Sequence, residues 1–277
     1  MNFQQFNDSV QMKESEEMLD KKVVVITGAS SGVGRETALL CAEKGAETVL
    51  IARNSEKLKN AERKIRERGD SAGSFTLDVR NCGQVEKVFG EIAGKYGRID
   101  VLVNCAGIGQ FAPLVSTDME DVKKMFSVNV IGLMACTKAV LPLMIRQKSG
   151  QIVNVASIAG KLATPKSTVY AATKHAVLGF SNGLRMEVED KGIRVTAVNP
   201  GPIRTAFFET ADPAGTYAAR VGPFMLDPKT VARRIVQAVE KKKREISLPW
   251  YMGLAAKIYQ LFPVPVEKIG GRWFRMK

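Results

Sequence analysis

Histidine is nearly missing from this chain. His175 is the only one in 277 residues, and the four cysteines, Cys41, Cys82, Cys105 and Cys136, stand far apart with no CxxC pair. That scarcity speaks against a zinc centre and a disulfide framework, and it predicts reduced, buried thiols in a reducing cytosol. Runs of about eighteen apolar residues are also lacking, so no segment is expected to span a bilayer. The first twenty residues carry Asp8, Glu14, Glu16, Glu17 and Asp20. They lack the basic start and apolar core of a secretory signal and read as a flexible extension over 1–20.

Acidic residues are the scarcer sign of charge, 28 against 41 basic ones, for a net +13. From Pro228 to Lys277 twelve basic residues face only three acidic ones, so an anionic surface is expected to meet the C-terminal end. The Lys241-Lys242-Lys243-Arg244 run leads into a strand without interleaved aromatics, which predicts a solvated helix end and no nucleic-acid binding. With 45% hydrophobic and 25% charged residues, the composition excludes collagen and a wholly disordered chain.

Short β-branched runs alternate with longer amphipathic ones. Strands are expected at Val23–Thr27, Thr48–Ile51, Gly73–Leu77, Val101–Asn104, Gln151–Val155, Val195–Val198 and Glu245–Leu248. Helices are expected at Val33–Lys44, Ser55–Arg68, Gln84–Tyr96, Met119–Gln147 with a bend near Pro142, Thr168–Glu189 and Pro228–Glu240. The hydrophobic period switches between two and 3.6 each time. Such alternation implies right-handed crossovers and a doubly wound parallel sheet with helices on both faces, and no linker or repeat divides it. An α/β domain of this kind binds its ligand at the carboxyl ends of the strands.

After the first strand comes Thr27-Gly28-Ala29-Ser30-Ser31-Gly32-Val33-Gly34. Glycines let the backbone turn sharply and approach a pyrophosphate, whose charge the free N–H groups and dipole of the following helix favour. A dinucleotide is therefore expected here. The second strand ends in Ala52-Arg53-Asn54, where an acid would bind the ribose 2′-OH of NAD. Uncharged Ala52 does not repel a 2′-phosphate and the Arg53 guanidinium can bind one, so NADP(H) is expected over NAD(H).

Tyr170 and Lys174 lie four residues apart on an expected helix and so share a face. An ammonium beside a phenol favours phenolate and brings the phenol toward proton transfer. Together with Asn104-Cys105-Ala106-Gly107, Asn129, Ser157 and Asn199-Pro200-Gly201, these motifs resemble the short-chain dehydrogenase/reductase superfamily over Lys21 to Leu248.

The resemblance implies a single Rossmann-type catalytic domain over 21–248, a nicotinamide cofactor and no metal. It implies Tyr170 as acid/base, Ser157 as hydrogen-bond partner of the substrate oxygen, and Lys174 holding the nicotinamide ribose and lowering the Tyr170 pKa. Asn129 would complete a water-mediated proton relay through Lys174. The cofactor would be lined by Gly28, Ser30, Ser31, Gly32, Val33 and Gly34 at its pyrophosphate, and by Asp78 and Val79 at adenine. Asn104, Ala106 and Gly107 would lie along the adenosine and ribose. Pro200, Gly201, Ile203 and Thr205 would lie against the carboxamide. Cys105 departs from the family, where many members carry Asn, and His175 reads as an ordinary helix residue. A non-catalytic dinucleotide sensor or scaffold, the alternative reading, would lack Tyr170, Lys174 or Ser157. The implied oligomer is a homodimer or homotetramer.

Phe207, Phe208, Tyr217, Phe224 and Met225 cluster between Thr205 and Leu226, where the superfamily carries a flap over its substrate. An apolar pocket is expected, taking the carbonyl or alcohol of a hydrophobic small molecule. Residues 249–277 mix aromatic, apolar and basic residues and resemble the extensions of membrane-associated branches. Packing on the domain, a subunit interface or peripheral contact with a membrane all remain open for a protein otherwise expected in the cytoplasm.

Overall fold

The computed structural model describes residues 19–274, with side chains to residue 270. The expected N-terminal extension up to residue 18, and the side chains of Arg272, Trp273, Phe274 and Arg275, lie outside the described residues. Leu19 already belongs to the core, and Lys21 N–H donates to Gly45 O.

Seven parallel strands form one sheet in the order β3-β2-β1-β4-β5-β6-β7. They are β1 Val23–Thr27, β2 Glu47–Ala52, β3 Ala72–Thr76, β4 Val101–Asn104, β5 Gly150–Val155, β6 Ile193–Pro200 and β7 Glu245–Leu248. The six helices that cover it are α1 Gly32–Glu43, α2 Ser55–Arg66, α3 Cys82–Tyr96, α5 Leu133–Gln147, α6 Thr168–Val188 and α9 Pro228–Glu240, with α4 Met119–Phe126 leading into α5. Short α7 Phe207–Ala211 and α8 Thr216–Val221 follow β6, while α10 Trp250–Leu261 and α11 Pro263–Phe274 follow β7. The expected doubly wound Rossmann fold is therefore present, with element ends shifted by up to two residues.

Strand residues alternate between two cores, because successive side chains of a pleated strand point to opposite faces. Val24, Ile26, Leu50 and Val103 pack with α1, α2 and α9, whereas Val25, Val49, Leu102 and Ile152 pack with α3, α5 and α6. Asp227 and Asn54 cap α9 and α2, accepting from Thr230 N–H and Lys57 N–H.

Two features of the Met119–Gln147 stretch go beyond the sequence reading. The helix continues through Pro142, and the departure from α geometry falls earlier, in a π-helical turn over Ser127–Gly132 that carries Asn129. Met119–Gln147 is also long and apolar enough by composition to cross a membrane, but half of its most apolar stretch is buried. Cys136, Val140 and Met144 give that apolar content to the core beneath the sheet.

A buried polar chain ties two helices to the sheet. Asn104 Nδ2 donates to Thr137 Oγ1 and Asn154 Oδ1, each at 3.0 Å, and Asn154 Nδ2 donates to Ser181 Oγ at 2.9 Å. Asn154→Leu leaves the Asn104 amide and the Ser181 hydroxyl short of partners, at about 1–3 kcal/mol for each unsatisfied group. Urea unfolding should show a lower midpoint at unchanged slope; an unchanged midpoint would refute this role.

Candidate active site

The strand order reverses between β1 and β4, so the connections leave in opposite directions and open a crevice at the carboxyl ends. Thr27 Oγ1 holds its floor, accepting from Cys105 N–H and Ala106 N–H at 3.1 Å each. A cavity of about 1900 Å³ extends from there, large enough for a dinucleotide and a further small molecule.

At the glycine loop, Gly28 has φ +71°, and a Cβ on it would lie 2.9 Å from backbone atoms of Ala106. A Cβ on Gly34 would fall on the carbonyl oxygen of Gly28. No acid occupies the first turn of α1, so its N–H groups and positive dipole end face the cavity unopposed. These residues fit a pyrophosphate. Ser30, Ser31, Gly32 and Val33 line the same wall, and Thr205 reaches back to within 3.2 Å of where a Gly32 Cβ would lie.

Ala52 and Arg53 line one end of the cavity together with Asp78 and Val79. Asn54, Lys57 and Arg80 stand there as well, and the sequence reading missed them. The signals were present: Lys57 lies one turn into α2 from Arg53, and Arg80 is two residues past Asp78. Arg80 Nε and Nη2 donate to Asp78 Oδ2 at 2.9 and 2.6 Å. The Arg80 hydrogen bond, with help from Arg53, holds the Asp78 carboxyl below the usual range. A charged carboxylate thus stands paired with the Arg80 guanidinium at this end of the cavity.

Ala106 and Gly107 line the cavity, as do Pro200, Gly201 and Ile203. Asn104 is outside the lining, its side chain committed to the buried polar chain beneath the crevice.

Tyr170 and Lys174, on α6, and Ser157, after β5, meet on one side of the cavity. Ser157 Oγ accepts from Ala159 N–H at 3.0 Å and donates to Pro200 O at 3.3 Å. Lys174 Nζ donates to Val155 O at 2.9 Å and lies 5.7 Å from the centre of the Tyr170 ring. Burial pushes the phenol above its ordinary value, opposed by a hydrogen bond with Ser157, and lowers Lys174 to about 8. The expected lowering of Tyr170 is thus reversed, because desolvating a phenolate outweighs its neighbours here.

Asn129 is held in the π-turn. Its Oδ1 accepts from Ile108 N–H at 2.9 Å, and its Nδ2 donates to Ile108 O and Thr173 Oγ1. The Cβ that Gly107 lacks would lie 3.4 Å from Asn129 Oδ1 and 3.7 Å from Lys174 Nζ, so both atoms border one small space. His175 points away and bonds Ala171 O through Nδ1.

Aromatic rings wall the remaining side. Phe111 packs edge-on to Tyr170 at 5.8 Å and to Tyr217 at 5.0 Å, and Phe207 lies 5.8 Å from Tyr170. Phe111 N–H donates to Ala211 O at 2.7 Å, joining the segment after β4 to α7. The far wall comes from α10 and α11, through Met252, Ala255, Ala256, Val266 and Ile269. The sequence reading missed this contribution, which shows only as the side of α10 opposite its bulkiest residues.

Fold and cavity define a dinucleotide-binding oxidoreductase. The family model for short chain dehydrogenase matches residues 22–214. A rat protein, dehydrogenase/reductase SDR family member 7B, is 36% identical over 253 residues, covering 86% of this chain and 77% of its own. A short chain dehydrogenase/reductase from Burkholderia phymatum in complex with NAD superposes with a TM-score of 0.81 at 25% identity, covering 87% of this chain and 94% of its own. An alcohol dehydrogenase from the archaeon Thermococcus sibiricus, complexed with 5-hydroxy-NADP, gives 0.74 at 26% identity, covering 82% and 96%. The chain belongs to the short-chain dehydrogenase/reductase family.

Burial pushes the Cys105 thiol up to about 11, although it borders the cavity near Lys174. Its thiolate fraction at neutral pH is therefore small, and alkylation by iodoacetamide should lag well behind that of exposed Cys82. Peptide mass spectrometry over a time course checks this; Cys105 labelling first would overturn it.

Proposed function

We propose that the protein is an NADP(H)-dependent reductase that converts a ketone or aldehyde of a hydrophobic small molecule to the alcohol, reversibly in principle. The observation that carries this reading is the meeting of Ser157, Tyr170 and Lys174 beside an aromatic wall in the cavity that the glycine loop enters. We expect a cytoplasmic homodimer or homotetramer whose catalytic domain spans 21–248 and whose extension, 249–277, packs on the domain, in a subunit interface or on a membrane surface.

When bound, the nicotinamide supplies or accepts the hydride at the carbinol carbon. The side chains handle the proton and the charge. Ser157 Oγ donates to the substrate oxygen and steadies its developing negative charge. Tyr170, kept protonated by its raised pKa, gives its phenolic proton to that oxygen, completing the alcohol. The phenolate so formed regains a proton from solvent along a path passing Lys174 and the space bordered by Asn129 Oδ1. Lys174 would also hold the cofactor ribose through its ammonium.

Arg53, with Lys57 and Arg80 beside it, supplies the charge that would read a 2′-phosphate, while Ala52 imposes no repulsion. Arg53→Ala should weaken NADPH by about tenfold and leave NADH nearly unchanged in fluorescence titration. Equal losses for both would remove Arg53 from this role. Tyr170→Phe should reduce kcat by about a hundredfold or more while NADPH affinity stays within a few fold. Normal turnover by that variant would end the acid/base assignment.

The two perturbed groups also set a pH dependence. Lys174, lowered to about 8, is charged below that pH and loses its proton above it, while Tyr170 stays protonated throughout. Reduction should hold its rate below about pH 8 and fall above it. In Lys174→Arg, whose cation does not titrate, the alkaline fall should disappear from whatever activity survives. A wild-type profile flat across the alkaline range would contradict this.

A further inference from the structure

The C-terminal helix pair has two apolar sides, and only one faces the domain. On α10, Met252, Ala255 and Ala256 line the cavity, and Gly253 is buried against Ser247. Trp250, Leu254, Ile258 and Leu261 form another stripe, 47–73% exposed. At 100° per residue these four fall within an arc of about 80°, opposite Met252 and Ala256, while Tyr251, which also lines the cavity, stands at the edge of the arc. The stripe continues past the helix junction through Phe262 and Val264 to Ile269, which is 88% exposed and also borders the cavity. The exposed apolar surface and the cavity therefore meet at the same helix pair.

Charge identifies what covers this face. From Trp250 to Lys277 the sequence has five basic residues and one acid. That acid, Glu267, accepts a hydrogen bond from Tyr259 Oη at 2.9 Å. Lys257 lies about 20° to one side of the stripe and is exposed, as is Lys268. Trp250 and Tyr251 pack edge-on at 6.2 Å where α10 begins, and such rings suit a headgroup boundary. The Lys241–Arg244 run contributes nothing here, since it precedes β7 and lies at the opposite end of that strand. An apolar stripe flanked by lysines matches an anionic lipid surface.

We propose that the outer face of α10 and α11 docks on an anionic bilayer and that the apolar carbonyl substrate enters the cavity from the lipid, past Ile269 and Met252. This rests on the reductase reading and gives its membrane contact a face, a lipid charge and a purpose.

The test uses the full chain and a Leu254→Asp/Ile258→Asp variant, whose altered side chains lie on the exposed stripe and outside the cavity. Cosedimentation is measured with phosphatidylcholine vesicles with and without phosphatidylglycerol, at low and high salt. NADPH oxidation is followed with a long-chain methyl ketone carried in the vesicles and with cyclohexanone in solution; circular dichroism and NADPH titration verify folding. The wild type should bind the anionic vesicles, less tightly as salt rises. The variant should bind them roughly tenfold or more weakly and turn over the vesicle-borne ketone correspondingly more slowly, with cyclohexanone turnover unchanged. Equal cosedimentation of both proteins, or none by either, overturns the proposal. So does a wild-type dimer that the variant converts to monomer without any vesicle binding, which would make the stripe a self-interface. Vesicle binding with neither ketone consumed overturns the reductase reading and the entry route with it.

Discussion

Both faces of the parallel sheet are buried under helices, and this constraint decides where the molecule can do chemistry. Side chains inside the strands are committed to one core or the other, as the alternation of Val24 and Ile26 with Val23 and Val25 makes plain. Polar groups become available only where strands end. The crevice between β1 and β4 is the one place in the sheet order where neighbouring connections diverge. The glycine loop, the Cys105–Gly107 turn and Ser157 all follow strand ends bordering this half of the sheet, and α6 brings Tyr170 and Lys174 to the same opening. Thr27 Oγ1, by binding the two N–H groups after β4, keeps the ends of β1 and β4 together as the floor of that opening.

Burial also tunes the reacting groups, and in opposite directions. The same loss of water that raises the Tyr170 phenol lowers the Lys174 ammonium, because in each case the charged form is the one penalised. For the proposed reductase this leaves Tyr170 protonated at neutral pH and the cation beside it close to its own titration. Neither property belongs to the residue types alone. Both arise from where the fold puts them: Phe111 and Phe207 pack on the Tyr170 ring, and Lys174 is buried with its ammonium on Val155 O.

Much of this was legible in the sequence. The strand positions followed from β-branched runs with polar breaks, and the cradle from the glycine spacing, since both are local patterns. The π-turn at Asn129 has no compositional mark, so the break in α geometry within Met119–Gln147 was not legible. For Asn104, sequence gives a strand end but does not say whether its side chain turns toward the crevice or toward Thr137. The walls supplied by α10 and α11 depend on how distant segments fold back on one another, whereas Lys57 and Arg80 stood within a turn of residues already read as cofactor-facing. The direction of the Tyr170 shift was hidden because spacing reveals a neighbouring charge but not the water that burial removes.

The segment between β6 and α9 is anchored at its base. Ile203 and Leu226 form a parallel bridge, Arg204 N–H donates to Leu226 O at 2.9 Å, and Leu226 N–H donates to Pro202 O at 2.8 Å. With both ends fixed by backbone bonds, what lies between them is a closed loop grafted onto a finished sheet. The entropy of closing such a loop grows only with the logarithm of its length. Its two short helices and aromatic rings are therefore interchangeable, in energetic terms, with a longer or differently shaped insert. The chain keeps its core and reacting groups in one part and concentrates its freedom to diversify in another.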